Sequence, residues 1–198
     1  GGMLAMMMNH ADRLKIACMA QLVNVIGPIM TEPGGAAWRQ TIYWPFLFAS
    51  KHGRGTAMQL AVEVPSYNAD CAANVPWLDI TGVRDDDAGT LTFFAINRSG
   101  TEAMEVDLAL EGFAPRYVTH TLIKHTDLEA RNTKDAPNTV APTTGDGAKI
   151  TGRGLHLTPK GETVIKQAYP VWMAAQSRTI AIMGIQSRSM LDDLLTQA

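Results

Sequence analysis

The chain has 198 residues, 46% of them hydrophobic and 18% charged, which is the composition of a globular protein of one or two domains. Its net charge of -2 argues against a nucleic-acid surface or an anionic membrane as partner. Residues 1–8 are apolar, but no basic residue precedes them and no small-residue cleavage site follows, so they indicate a helix start rather than a signal peptide. Cys18 and Cys71 form no metal or redox motif and suit a reducing cytosol.

The first region, residues 1–52, has the rhythm of an α/β unit. Apolar residues at helical spacing predict an amphipathic helix over residues 2–21. The unbroken apolar run at residues 22–30 predicts a strand covered on both faces, as in a parallel sheet. A Pro-Gly-Gly loop follows, and a second helix is predicted over residues 39–52, with Pro45 delaying or kinking it and Gly53 closing it. We therefore expect this region to be the C-terminal end of a (β/α)₈ barrel.

The second region, residues 53–165, changes to short, partly alternating segments separated by turn residues. This pattern predicts an antiparallel β-sandwich with strands at residues 58–64, 91–97, 105–110, 117–124 and 155–157. The turns are predicted at residues 65–68, 85–89, 98–100 and 145–147. The acidic residues 85–87 lack the alternating ligand spacing of an EF-hand, so a solvated hairpin turn is expected there. Residues 166–198 are predicted to be an atypical tail that does not continue the sandwich pattern, and residues 189–195 have the pattern of one short helix.

The densest group of residues with chemical potential directly follows the predicted buried strand. Active sites of α/β barrels form from the loops at the C-terminal ends of the strands. Glu32, Trp38, Arg39 and Gln40 would therefore line a substrate mouth, with Trp offering a flat face to a sugar ring and Gln both a donor and an acceptor to hydroxyls. The alternative is a surface loop whose Trp closes the end of the barrel.

A complete glycosidase site is not evident in this chain. Glycoside hydrolysis normally needs two carboxylates held roughly 5 to 10 Å apart, and no second inward carboxylate accompanies Glu32. The sequence therefore predicts no catalytic residue and no metal ligand. The remaining candidates have ordinary structural explanations, namely a helix surface for His10 and Asp12, and a single strand for His120 and His125.

Four runs in the first region resemble family-51 α-L-arabinofuranosidases: HADRLKIA at residues 10–17, AQLVNVI at 20–26, PIMTEPGG at 28–35 and WRQTIY at 38–43. The match is nearly continuous there and specific. It is looser in the second region, at AINR (residues 95–98) and LEARNT (residues 128–133).

The resemblance implies an α+β fragment, made of the last βα unit of a (β/α)₈ barrel followed by a jelly-roll-like β-sandwich. It implies a retaining enzyme with one Glu as acid/base and another as nucleophile, both upstream of the matching segment. Gln40 matches a family glutamine that contacts arabinofuranose, and Trp38 and Glu32 are carried over as pocket lining. It also implies no metal or other cofactor, an arabinofuranosyl oligosaccharide substrate, a homohexameric parent and a cytoplasmic location.

Two departures qualify the resemblance. Most of the barrel is missing, and the tail has Trp172 followed by MAAQ where the family closes its sandwich with a strand containing SWNVI. The main hypothesis is an arabinofuranosidase fragment that is inactive alone, with residues 1–52 poorly stable in isolation because their strand edges are unpaired. The alternative is a non-catalytic carbohydrate-binding or oligomer-assembly sandwich.

Overall fold

The computed structural model describes residues 1–99, 102–151 and 154–157. The described helices are α1 (Gly2–Asn9) and α2 (Tyr43–His52). The described strands are β1 (Ile29–Thr31), β2 (Ala37–Arg39), β3 (Thr56–Met58), β4 (Ser66–Ala69), β5 (Ala72–Pro76), β6 (Leu78–Asp85), β7 (Thr90–Asn97), β8 (Val106–Ala109), β9 (Thr121–Leu122), β10 (Thr143–Thr144), β11 (Ala148–Thr151) and β12 (Gly154–Leu157).

The best-buried part of the described chain is the antiparallel sheet β3–β6–β7. Strand β6 lies in its centre and pairs with β7 along its whole length, from Leu78 opposite Asn97 to Asp85 opposite Thr90. Helix α1 packs on this sheet, and the Asn9 side-chain amide donates to the Ile80 carbonyl at 3.4 Å. The core therefore forms where the chain supplies both strand neighbours and a covering helix.

The other strands of the described chain are short and are also paired antiparallel, which is consistent with a β-sandwich domain. A second three-stranded sheet has the order β11–β12–β8. Separate two-stranded pairs are formed by β1 with β2, β4 with β5, and β9 with β10. None of the described helices has the length and apolar character that crossing a bilayer requires.

The first predicted helix is wrong in length, because α1 ends at Asn9 instead of continuing to residue 21. Helices in proteins depend mainly on packing of an apolar face, and Ala5 supplies that contact at 2% exposure. Beyond α1 the apolar side chains Leu14 and Ile16 are 44% and 83% exposed. The periodic pattern continues there, but these side chains stay largely exposed, so packing does not hold the chain in a longer helix.

The predicted covered strand over residues 22–30 is also wrong in this structure. Strand β1 begins only at Ile29, and it pairs antiparallel with β2 rather than within a parallel sheet. An isolated parallel bridge between Val23 and Ile29 is the remaining strand pairing of this run among the described residues. Asn24 and Val25 have φ angles of 60° and 51°, outside the extended region, so the run forms an exposed loop. An extended strand needs neighbours for its backbone groups, and within the described residues the single bridge from Val23 to Ile29 does not supply a flanking strand for residues 22–26.

Outcomes in the second region are mixed. The predicted turn at residues 85–89 is confirmed as the β6–β7 turn, where Gly89 has a φ of +62° and the Ala88 amide donates to the Asp85 carboxylate at 2.9 Å. Strands β7, β8 and β12 lie where strands are predicted. The predicted strand at residues 117–124 shrinks to β9, whereas the one predicted at residues 58–64 is wrong, because β3 ends at Met58 and no strand follows it before β4. The predicted turn at residues 65–68 is mostly strand β4. The tail lies outside the described residues.

Candidate functional site

The predicted substrate loop is a β-hairpin formed by β1 and β2. Ile29 pairs with Arg39, and Thr31 pairs with Ala37. The turn between them closes through the Glu32 amide, which donates to the Ala36 carbonyl at 3.0 Å. Gly34 has a φ of +66°, a conformation that favours glycine, so the Pro-Gly-Gly sequence explains why the chain reverses there.

The three predicted substrate-binding residues lie along this hairpin. Trp38 is half-buried in the middle of β2, and Gln40 is half-buried one residue beyond its end. The Gln40 amide donates to the Pro28 carbonyl at 2.8 Å and continues the strand ladder, so the side chains of Trp38 and Gln40 lie on the same face. Glu32 lies at the opposite end, about 13 Å along the strands from Gln40, since four residues at the usual strand rise separate Gln40 from the position opposite Glu32. The structure therefore brings Trp38 and Gln40 together and leaves Glu32 apart.

Glu32 has a cationic partner. Its Oε2 lies 3.1 Å from Nζ of Lys134, and the two side chains are 42% and 52% exposed. An ion pair this exposed contributes little to stability, about 0 to 1 kcal/mol, so its effect is mainly on where the carboxylate points. Within the hairpin, residues 28–40, Glu32 is the one acidic residue, so the hairpin by itself does not form the two-carboxylate arrangement of a glycosidase.

Arg39, which was expected to face the substrate mouth, packs over the start of α2. Its guanidinium lies 5.4 Å from the Tyr43 ring centre and 5.2 Å from the Trp44 ring centre. These two rings meet edge to face at 5.2 Å. Such cation–π contacts are worth about 0.5 to 1 kcal/mol at exposed sites, and they join the hairpin to the helix that follows it. Pro45 lies in the first turn of α2, where proline is tolerated.

Two asparagines, which the sequence reasoning had not singled out, fasten the two strands of the hairpin. The Asn24 Oδ1 atom accepts a hydrogen bond from the Thr31 backbone amide at 2.7 Å, and its Nδ2 atom donates to the Thr31 hydroxyl at 2.9 Å. These two bonds fix the end of β1. Asn132 donates from Nδ2 to the Arg39 carbonyl at 2.9 Å, which fixes the end of β2. Asn132 is only 2% exposed, although it lies 93 positions along the chain from Arg39.

One buried donor at the hairpin is unsatisfied. The indole Nε1 of Trp38 is buried and has no hydrogen-bond acceptor within the described part of the chain. A buried donor left without an acceptor costs about 1 to 3 kcal/mol. The Trp38 side chain is therefore held in place by packing and by its strand rather than by its own polar atom.

The other candidate groups form no reactive cluster. His10 contacts Arg13 of its own turn at 3.3 Å, and His125 is bound within its own turn by the Asp127 amide at 3.0 Å. The Nδ1 atom of His120 is buried without a partner in the described chain. No group of three or more potential metal ligands occurs among residues 1–99, 102–151 and 154–157. Cys18 and Cys71 are exposed and free.

A large apolar surface lies next to the hairpin. Leu22, Val25 and Ile26 are 68%, 81% and 61% exposed. An apolar groove of about 410 Å³ also opens where α1 and the residues after it face α2. Its lining includes Leu4, Met7, Leu14, Ile16 and Phe46. Exposed apolar patches are typical of interaction surfaces and ligand grooves.

Comparison with known proteins identifies the setting of this hairpin. The profile of the α-L-arabinofuranosidase C-terminal domain matches residues 1–161. The chain is 40% identical over 169 residues to intracellular exo-α-(1→5)-L-arabinofuranosidase 1 of Bacillus subtilis, covering 84% of this chain and 33% of that protein. It is 44% identical over 133 residues to the intracellular exo-α-(1→5)-L-arabinofuranosidase of Halalkalibacterium halodurans, covering 67% of this chain and 27% of that protein.

A solved structure gives the same result. The family 51 α-L-arabinofuranosidase from Bifidobacterium longum matches with a TM-score of 0.68 and 32% identity, covering 79% of this chain and 31% of that one. The chain thus spans about a third of the length of these relatives. The chain belongs to the family-51 α-L-arabinofuranosidases and corresponds to their C-terminal part.

Proposed function

We propose that this chain is the C-terminal part of a retaining α-L-arabinofuranosidase that releases terminal arabinofuranose from arabinan or arabinoxylan oligosaccharides. In this proposal residues 1–52 complete the catalytic (β/α)₈ barrel, residues 53–165 form the β-sandwich, and residues 166–198 are an atypical tail. Both catalytic glutamates lie upstream of the matching segment in the family, so the chain is inactive alone.

The observation that carries the proposal is the exposed apolar run that leads into the hairpin. Leu22, Val25 and Ile26 have the composition of a covered strand but no cover in the described chain. Burying apolar side chains of this size is worth about 1.5 to 3 kcal/mol each, which strongly favours a partner. Strands from the rest of the barrel would supply it, since the chain spans only about a third of its relatives.

In the assembled pocket this chain would bind sugar rather than cleave it. The side-chain carboxamide of Gln40 offers a donor and an acceptor to the sugar hydroxyls, and Trp38 gives the pocket a rigid apolar wall. Glu32, held by Lys134, contributes an acceptor at the far end of the hairpin. The two upstream glutamates would carry out the two displacements at the anomeric carbon. The parent enzyme would be a cytoplasmic homo-oligomer.

The test is a chimera in which this chain replaces the matching C-terminal third of the Bacillus subtilis relative. We expect the chimera to hydrolyse an aryl α-L-arabinofuranoside and the chain alone to show no hydrolysis. Gln40→Ala should lower kcat/KM of the chimera about 10- to 100-fold, since each hydrogen bond to the sugar is worth roughly 1 to 3 kcal/mol.

The matched control for Gln40 is Gln59→Ala, which changes an exposed glutamine outside the hairpin and should leave kcat/KM unchanged. A folded chimera without activity would contradict the proposal, as would equal activity in the Gln40 and Gln59 variants. Hydrolysis by the purified chain alone would contradict its inactivity.

The alternative function, sugar binding by the sandwich alone, is tested by titrating the chain with arabino-oligosaccharides. Tyr67 and Trp77 are half-buried and stack on each other at 4.1 Å, so each ring covers one face of the other. They provide less free aromatic surface than two separate rings would. Affinity retained after Gln40→Ala together with Trp38→Ala would favour the sandwich as a binding module.

A further inference from the structure

Residues 132–140 form a loop that packs behind the substrate hairpin, and we refer to them as the clamp loop. The loop is shaped by its own hydrogen bonds, including the Thr133 amide to the Ala136 carbonyl at 3.2 Å and the Thr139 hydroxyl to the same carbonyl at 3.1 Å. Its two ends, Asn132 and Val140, are 2% and 7% exposed. The clamp loop therefore reaches the hairpin through buried ends and keeps its middle in solvent.

Asn132 joins the two ends of the clamp loop to each other and to β2. Its Oδ1 accepts the Val140 amide at 2.7 Å, and its Nδ2 donates to the carbonyls of Val140 and Arg39, each at 2.9 Å. Both the oxygen and the nitrogen of the Asn132 side chain are therefore hydrogen-bonded. The side chain is buried, so water does not compete for these bonds.

The Arg39 carbonyl is the other half of the peptide group that carries the Gln40 amide. The Gln40 amide donates to Pro28 at 2.8 Å while the Arg39 carbonyl accepts from Asn132 at 2.9 Å. A peptide group is planar, so holding it at both ends fixes its orientation. The Gln40 carbonyl in turn accepts the Tyr43 amide at 3.0 Å. The backbone on both sides of the Gln40 side chain is therefore held.

Two further contacts tie the clamp loop to the same region. The Trp44 indole donates to the Val140 carbonyl at 3.2 Å, which joins the loop to α2. Lys134 pairs with Glu32 at the opposite end of the hairpin. The loop thus contacts the hairpin near Gln40, at Glu32, and at the helix that follows.

We propose that Asn132 is a positioning residue that sets the orientation of Gln40, and that the clamp loop makes the second region of the chain a structural part of the sugar pocket. The role in sugar binding rests on the proposed function, whereas the effect on the Gln40 backbone does not. Asn132 acts through Gln40 and need not touch the sugar.

The first test measures amide hydrogen exchange of the full chain, residue by residue, by NMR. Asn132→Asp keeps the Oδ1 acceptor for the Val140 amide but loses the Nδ2 donor to the Arg39 and Val140 carbonyls. We expect exchange at the Gln40 backbone amide to quicken at least about tenfold in this variant while the Val140 backbone amide stays protected, because the Arg39–Gln40 peptide group loses the hydrogen bond that holds its carbonyl. The matched control Asn138→Ala changes an exposed asparagine of the same loop and should leave exchange at Gln40 unchanged.

The second test uses the chimera with its active sites counted by a covalent inhibitor, so that misfolded enzyme is not measured. Asn132→Ala should raise KM and lower kcat/KM per active site, and it should have little further effect when Gln40 is already Ala, because one residue acts through the other. Additive effects of the two substitutions would overturn the positioning role. Equal amide exchange at Gln40 in the Asn132→Asp and Asn138→Ala variants would also overturn it. If the chimera is inactive, the exchange measurement on the chain alone decides whether Asn132 holds the Gln40 backbone.

Discussion

Two regions of this molecule are similarly apolar in sequence, but one is buried in a sheet and the other is an exposed loop. The β6–β7 hairpin buries Leu78, Ile80 and Val83 to 8%, 8% and 2% exposure. Residues 22–26 leave most of their large apolar side chains exposed. The difference lies in the neighbours, because β6 finds β3, β7 and α1 in the same described chain. An apolar pattern shows that a segment is to be covered, but the covering surface decides whether a strand forms.

The largest change in the free energy of unfolding should come from placing a charge within residues 22–26 of the chimera. Val25→Asp puts a carboxylate at a position that is 81% exposed in the chain alone, so its free energy of unfolding should change by less than about 0.5 kcal/mol. In the chimera the same carboxylate would be buried, and the loss should reach about 3 to 5 kcal/mol. Urea unfolding of both proteins measures the two losses, and equal losses would contradict a covered strand.

A matched pair of truncations compares the two regions within the chain alone. Ile80→Ala removes a side chain that is 8% exposed and should lower the free energy of unfolding by about 2 to 4 kcal/mol. Ile26→Ala removes one that is 61% exposed and should cost less than about 0.5 kcal/mol. The midpoints of urea denaturation give the comparison. Similar costs at the two positions would mean that residues 22–26 already pack in the isolated chain.

The smallest effects concern ion pairs in and beside the buried sheet. Arg98 pairs with Asp79 at 2.7 Å, with side chains 33% and 15% exposed, and Asp79→Asn should cost about 1 to 2 kcal/mol. The Arg84–Asp86 pair is 53% and 69% exposed, so Asp86→Asn should cost less than about 0.5 kcal/mol. Thermal unfolding of each variant at low and high salt checks this, and the reverse ranking would be inconsistent with the burial of Asp79.

Local signals in the sequence were sufficient to predict some of the turns, strands and helix ends. The turn at residues 85–89 and strand β7 follow from turn chemistry and alternation, and α2 ends at His52 beside Gly53 as predicted. Strand β6 was missed, although its Leu-Asp-Ile-Thr start alternates at the strand period. The predictions failed at residues 10–28 because an apolar pattern predicts a covered face, and most of the large apolar side chains there are exposed in the described chain.

The hairpin was predicted as a loop that carries Glu32, Trp38, Arg39 and Gln40 from its position after the predicted strand, and the resemblance added a sugar contact for Gln40. The role of Asn132 could not be predicted, because its contact with Arg39 crosses 93 positions and no local pattern announces it. The packing of the Arg39 side chain on α2 was not predicted either, for a related reason. Its partners, Tyr43 and Trp44, were visible in the sequence, but their geometry depends on where α2 begins.

The most direct measurement is amide exchange across residues 22–31, compared between the chain alone and the chimera. We expect rapid exchange at residues 22–26 in the chain alone and strong protection in the chimera, where neighbouring strands would accept and donate the missing backbone hydrogen bonds. Protection that is already complete in the chain alone, or exchange that stays rapid in a folded chimera, would show that this segment is not a barrel strand.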